Sequence, residues 1–410
     1  MKELHTGRLY WPHTLDRIRA FPVLTESIRT RVAIVGGGLS GIFCACLLAE
    51  RGIDTTLLEG GAIAGGSTMA NTGLIHLGND IMLCELSERI GRASAELFYR
   101  SCKEAADDIA RLAASLPADV EFRRTGCLYY ASTEQDLPRL IREHAALAAC
   151  GLEAELWTAD DIGRKFPFRK PGAIVTQGET LLNPLQFAVA LADRAAGRGA
   201  SLYERTEIVR REPLTGGRHR LHAAGGWTVD AEHVVYAIGY EPEQLRGRLL
   251  KADLNRTYVM VTGKQQSLDD WHGQWMIWET ARPYLYLRTT PDGRVMAGGM
   301  DEPQPCPNRS RKSSRQSTLR LARRVGALFP MLDMTPEYEW NATFGESLDG
   351  LPFIGEDPAE PNVHYSLGYG GNGTISAMIA AGLIRDRIAE GRSRSPLADI
   401  VSLNRRALRP

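Results

Sequence analysis

The chain has 410 residues, 43% of them hydrophobic and 24% charged, a length that suits two domains better than one core. Its 49 Lys+Arg balance 49 Asp+Glu, so no overall charge argues for nucleic acid or a membrane surface as partner. The seven cysteines are odd in number and form no Cys-x-x-Cys, which argues against a disulfide framework or a metal site; with no apolar signal core and no run of about 18 apolar residues, a cytoplasmic protein without a membrane span is expected.

Residues 1–29 read as an N-terminal extension containing Trp11-Pro-His-Thr14. Val32 to Val35 form a short, wholly apolar strand of the kind buried in a parallel sheet. Gly36, Gly38 and Gly41 then spell Gly-x-Gly-x-x-Gly, with Leu39 and Ser40 between them, and Ile42–Glu50 continues as a helix. Asp54–Glu59 is a second strand that closes on a carboxylate followed by Gly60. Glu59 stands 18 residues after Gly41, close to the roughly 20 expected of a dinucleotide site. In such a site the first glycine permits the tight turn, the second admits a pyrophosphate to the backbone, and the third lets helix and strand pack closely. The terminal acid accepts hydrogen bonds from a ribose.

From Asn79 to Leu116 apolar residues recur at helical steps. Val120–Ala131 alternates enough for two strands around Gly126, and a helix follows near 134–150. Gly172–Thr176 reads as a strand, and Asn183-Pro184 opens another helix, with asparagine as cap and proline in the first turn. Ala200–Val209 is expected to be the next parallel strand, and Ala231–Gly239 a further apolar strand ending in glycine. Tyr284–Thr289 and Arg294–Gly298 flank Pro291-Asp-Gly293, which is hairpin chemistry. The basic stretch from Arg309 through Arg324 carries apolar residues at helical spacing, so its charges are expected to form a solvated helix face. A glycine-rich loop leads into a last helix near 374–390.

Parallel segments at both ends, separated by an antiparallel region, predict an α/β fold. It comprises a Rossmann-type nucleotide-binding domain built from 30–90, 155–254 and 335–400, and a second α+β substrate domain on a mixed or antiparallel sheet from 91–154 and 255–334; residues 401–410 form a basic tail.

Several blocks together resemble the D-amino acid oxidase-like FAD-dependent oxidoreductases, the group that includes glycine and sarcosine oxidases. They are Val32–Glu59 with Gly65–Gly73, Val234–Tyr240, and Asp349–Gly355 with Asn362–Gly373. The resemblance implies FAD rather than NAD, with Gly36, Gly38, Gly41, Glu59 and neighbouring Gly60 around the ADP half. It implies that Ser67, Thr68, Asn71 and Thr72 pass the pyrophosphate and ribityl chain, that Ile208 lies near adenine, and that Gly239 permits close approach. Gly370, Gly371, Asn372, Gly373 and Thr374 are implied to bring backbone donors and a helix N-terminus toward the flavin.

The strand Pro283–Arg288 is the expected substrate wall, since period two puts Tyr284, Tyr286 and Arg288 on one face. Arg288 is the expected clamp for a substrate carboxylate, with surface exposure or pairing to Glu279 as the plainer reading. Tyr258, Trp275 and Trp278 are further possible walls, more often core. His76, just past the flavin loop, is expected either to act as a base on a hydroxyl or to sit beside the flavin ring, as the run also resembles glycerol-3-phosphate and 2-hydroxyglutarate dehydrogenases. Two departures from the glycine and sarcosine oxidase pattern stand out. Phe344 occupies the place of an arginine after Trp340, and Met296 the place of a lysine used for oxygen activation.

The resulting expectation is oxidation of a small amine or amino acid by hydride transfer to flavin N5, followed by imine hydrolysis. Oxygen or another carrier takes the electrons. A flavin-dependent 2-hydroxy acid or polyol dehydrogenase, an NAD-dependent dehydrogenase and a flavin-binding protein without turnover are the alternatives. Substrate identity and oligomeric state are left open.

Overall fold

The computed structural model describes residues 4–16, 18–239, 252–303, 310–367, 370–391, 393 and 395–405. Tyr240, Arg309, Gly368 and Tyr369, in segments used in the sequence reading, and Cys306, one of the seven cysteines, lie outside the described residues.

Two sheets organise the chain. The first, of eight strands, contains the run Phe353–Glu356, Val363–Leu367, Thr228–Tyr236, Ile28–Val35, Thr55–Leu58, Ser201–Tyr203 in spatial order. From Val363–Leu367 to Ser201–Tyr203 the pairings are parallel. Val32, Ala33 and Ile34 are fully buried because both faces of this sheet are covered. On one face Val32 and Ile34 pack in the same core as Ile42, Cys46 and Ile375; on the other Ala33 and Leu58 meet Leu221 and Val229. Helix Leu39–Ala49 is buried almost all round, as a helix enclosed by other elements has to be, so it lacks the polar stripe of a surface helix. Each fully buried Leu or Ile there contributes about 1.5–3 kcal/mol relative to exposure.

The second sheet has ten strands and runs His5–Arg8, Pro336–Ser347, Ala252–Thr262, Val295–Glu302, Leu285–Thr289, Met276–Glu279, Arg123–Tyr130, Gly172–Leu181, Leu74–Ile75, with Glu155–Thr158 also paired to Gly172–Leu181. Its pairings cross the boundaries expected from sequence. Strands at 155–158, 172–181 and 336–347, assigned above to the nucleotide-binding portion, hydrogen-bond within this sheet. The supposed extension contributes an edge strand, His5–Arg8, and a fully buried Trp11.

Other local expectations also change. The helical stretch after Asn79 is two helices, Leu83–Ile90 and Arg92–Ser115, broken at Gly91 with φ 86°. Arg123–Tyr130 is one strand through Gly126, where a Cβ would collide with the Trp275 indole. The expected strand over 200–209 divides into parallel Ser201–Tyr203 and antiparallel Ile208–Pro213. Arg405, placed in the basic tail, is 6% exposed and pairs with Asp349 through both of its carboxylate oxygens at 2.6 and 2.7 Å.

Three features follow the sequence closely. Asn183 accepts from the amides of Leu185 and Gln186 at 3.2 and 3.1 Å, capping helix Pro184–Gly197. The 285–302 hairpin closes through Thr290–Gly293. The basic helix Arg311–Leu328 turns Leu321, Val325 and Leu328 onto the ten-stranded sheet. Its outer arginines are not all solvated, since Arg315 pairs with Glu339 and Arg324 with Glu279. Six described cysteines are free thiols, and no helix among the described residues is long and apolar enough to cross a membrane.

Candidate active site

A cavity of about 1230 Å³ runs between the two sheets, from the first glycine turn to the substrate strand. At one end the strand Ile28–Val35 stops at Gly36, whose φ of 110° turns the chain into the helix. A Cβ on Gly41 would collide with the Gly36 carbonyl oxygen, which is why helix and turn pack this closely. Glu59 stands at the end of Thr55–Leu58, its two oxygens accepting 2.6 Å bonds from the amides of Gly37 and Gly61. Free lone pairs remain on both for a ribose. Ile208, Arg210, Tyr236 and Gly239 line the same end, and Tyr236 stacks on Tyr365 at 5.4 Å.

The middle of the cavity is bordered by the loop 66–73. Thr68 Oγ1 accepts from the amide of Leu39, Asn71 Oδ1 from that of Gly73, and Asn71 Nδ2 donates to Thr374 at 3.3 Å. Ser40 shares a 2.7 Å bond with Ser366. Ser67 Oγ is buried, lines the cavity and meets no partner among the described residues.

At the far end Trp278, Tyr284, Tyr286, Phe344 and His76 form the wall facing Gly370–Asn372, and Thr72 lies beside Tyr286. His76 packs on Trp278 at 4.9 Å. Burial lowers its pKa to about 4, so the ring is neutral at physiological pH. Asn372 Nδ2 ties the glycine loop to this wall, donating to Asn79 Oδ1 at 3.0 Å and to the Gly78 carbonyl at 3.3 Å. The Gly371 amide donates to Asp80 Oδ2 at 2.5 Å. Asp301 and Glu346 stand close enough to Asp80 to feel its charge. Burial first, and then that charge, raise them to about 6 and about 7.

The structure therefore brings to one cavity every cofactor residue expected from sequence except Gly41, whose part is packing, and with them Tyr284, Tyr286 and His76. Arg288 is a correction. It is 1% exposed and does not line the cavity; its Nη1 donates to the carbonyls of Thr72, Gly73 and Leu182 at 3.0, 3.0 and 2.8 Å, and its Nε to that of Thr289. The guanidinium lies 5.5 Å from the ring of Trp11, which donates to the Asn71 carbonyl. Both side chains hold the loop 71–73 from behind, leaving no clamp for a carboxylate. Met296, opposite Arg288 in register, is likewise core. Of the three other aromatic candidates, Trp278 lines the cavity, Tyr258 points its hydroxyl to Glu302, and Trp275 packs under Gly126. Sequence reasoning missed Asp80, which no motif marks, and Trp11, whose position in a supposed extension hid it.

The residues fit a flavin dinucleotide: a glycine cradle, an acid at the ribose position, an unpartnered Ser67 hydroxyl, and a helix N-terminus at the far end. Comparison with known proteins agrees. Residues 31–387 match the family described as FAD dependent oxidoreductase (DAO). The chain is 25% identical to Gamma-glutamylputrescine oxidoreductase of Escherichia coli (strain K12), covering 93% of this chain and 89% of that protein. It is 24% identical to glycine oxidase of Geobacillus kaustophilus (strain HTA426), covering 90% and 96%. The solved structure of glycine oxidase from Geobacillus kaustophilus shares the fold at TM-score 0.74 and 22% identity, covering 92% of this chain and 99% of that one. L-amino acid deaminase from Proteus myxofaciens does so at 0.74 and 15%, covering 98% and 99%. With the family match spanning most of its length, the chain belongs to the FAD-dependent oxidoreductase family, and FAD is its cofactor.

Proposed function

We propose that this enzyme oxidises an amine or amino acid at the carbon bearing the nitrogen, and that the imine product hydrolyses. The observation that carries the reading is the wall of Trp278, Tyr284, Tyr286 and His76 facing the Gly370–Asn372 loop. Bound FAD supplies the hydride acceptor. Gly36, Gly38, Glu59 and Ser67 would hold its dinucleotide portion, and the N-terminus of helix Gly373–Glu390 would offer positive potential at the far end. The aromatic wall excludes water and fixes the substrate carbon, which is the protein's main contribution to such a step.

The local charges favour a substrate nitrogen over a plain carboxylate. Arg288 is committed to backbone, Phe344 stands where the resemblance to glycine oxidase-like members implies an arginine, and Asp80 places a carboxylate in the lining, with Arg282 beside it donating to the Asp80 carbonyl. A second reading, oxidation of a 2-hydroxy acid or polyol, is supported by the place of His76 in the cavity wall, where its unprotonated ring has a lone pair to accept a hydroxyl proton, though as a weak base.

The test is the visible spectrum of the purified, dialysed protein before and after anaerobic addition of amines, amino acids or hydroxy acids. Flavin bands bleached by amines support the proposal, and bleaching by hydroxy acids alone supports the second reading. Flavin that no substrate reduces, though dithionite does, would reduce the protein to a flavin binder.

A further inference from the structure

An alkyl amine reaches the site protonated, and its nitrogen has to lose that proton before the adjacent carbon can give up hydride. His76, in the wall of the main cavity, is held neutral by burial and is too weak a base to keep that proton. A second, smaller cavity of about 30 Å³ lies behind that wall, and His76, Asn79 and Trp278 border both. His76 Nδ1 is buried and meets no hydrogen-bond partner among the described residues. The cavity is large enough for one water molecule; most of its lining is apolar, but His76, Asn79, Thr176 and Glu143 border it, Glu143 already accepting from the amides of Leu83 and Cys84.

Across this small cavity stands the strand Gly172–Leu181. Ile174 and Thr176 share the face that turns to it, opposite Tyr129 and Cys127 in register. The Thr176 hydroxyl donates to Glu179 Oε1 at 2.6 Å, and Glu179 Oε2 accepts from the amide of Leu77, the residue after His76, at 3.2 Å. Glu179 is 6% exposed; the other charged or titratable groups acting on it are Lys103, Arg124 and the Cys127 thiol.

We infer that His76, a water in the small cavity, Thr176 and Glu179 form a proton exit from the substrate site. His76 Nε2 takes the proton of the substrate ammonium while Nδ1–H gives one to the water; the water passes one to Thr176 Oγ1, and the threonine hydroxyl delivers its own to Glu179. One proton leaves the substrate and one arrives on the carboxylate, with no change in electron count. Burial raises Glu179 to about 7, so it stores a proton near neutrality where His76 does not. Glu179 and Thr176 are positioning and relay groups, since neither borders the main cavity.

This inference rests on the amine reading above, and its test separates the two. A crystal structure should show an ordered water bonded to both His76 Nδ1 and Thr176 Oγ1; a dry cavity overturns the relay whatever the substrate is. In anaerobic stopped flow, Glu179→Gln and Thr176→Val should slow bleaching by an amine on the order of tenfold near neutral pH, below the 10²–10⁴ of a direct acid–base group. Thr176→Ser should restore the rate. Infrared difference spectra of the wild type should show Glu179 gaining a proton on reduction, a signal absent in Glu179→Gln. Wild-type rates in the folded, flavin-loaded Glu179→Gln and Thr176→Val variants overturn the relay and leave the amine reading intact. Wild-type protein that no amine bleaches overturns both.

Discussion

Arg288 shows what residue-scale reasoning reaches and where it stops. Period two correctly puts it on the face of Tyr284 and Tyr286, but periodicity assigns a face and not a depth. The strand runs past the end of the cavity, so the Arg288 side chain meets the loop 71–73 instead of lining that cavity. Arg288→Met should therefore destabilise the protein by about 3 kcal/mol, the scale of lost charged hydrogen bonds and stranded carbonyls. It should also loosen FAD, as read by urea unfolding and flavin retention. An unchanged urea midpoint with weaker carboxylate binding would restore the clamp. Gly41→Ala should give colourless protein that FAD does not reconstitute, because the added methyl has only the Gly36 carbonyl to occupy. Retained yellow colour would refute that packing argument.

Among the elements, the C-terminal segment gains most from tertiary structure. Ile354 donates to the Val401 carbonyl, and Arg405 reaches back to Asp349 and to the carbonyls of Leu351 and Pro352. Burial alone would raise Asp349, but the Arg405 guanidinium outweighs it and holds the carboxyl below the usual range. A depressed folded pKa stabilises above the unfolded value of about 3.9, and that stability disappears as pH falls through the folded value. Arg405→Met should cost about 3–5 kcal/mol at neutral pH by leaving a buried carboxylate alone, measurable by urea unfolding. That loss should shrink below about pH 4. Glu179 has the opposite sign. With its folded pKa raised to about 7, its contribution is fully present below the unfolded pKa of about 4.3 and is lost as pH rises toward 7. Glu179→Gln should flatten stability across that window. An unaltered pH slope would mean the carboxyl titrates normally.

At the scale of the whole molecule, the cavity lies between two sheets drawn from every part of the chain, so occupancy by FAD should tie their stabilities together. Deflavinated protein should melt lower and regain stability with added FAD, by about 2.7 kcal/mol at a hundred times its Kd. NAD should give no such shift; an equal shift with NAD would contradict the cofactor assignment. The nucleotide end was legible because its chemistry is local. A turn with positive φ, a helix start and an acid at a strand end lie within 30 residues and depend on backbone geometry that the residue types specify directly. The hairpin and the capped helix at Asn183 were legible for the same reason. What only the tertiary structure decided is which distant side chains share a space. Trp11 and Arg288 behind the flavin loop, Asp80 on the Gly371 amide, Arg405 on Asp349 and the small cavity between His76 and Thr176 join residues tens to hundreds of positions apart. Sequence periodicity fixes a face over a few residues, whereas these meetings depend on sheet order, strand length and depth of burial, which exist only once the two sheets have packed.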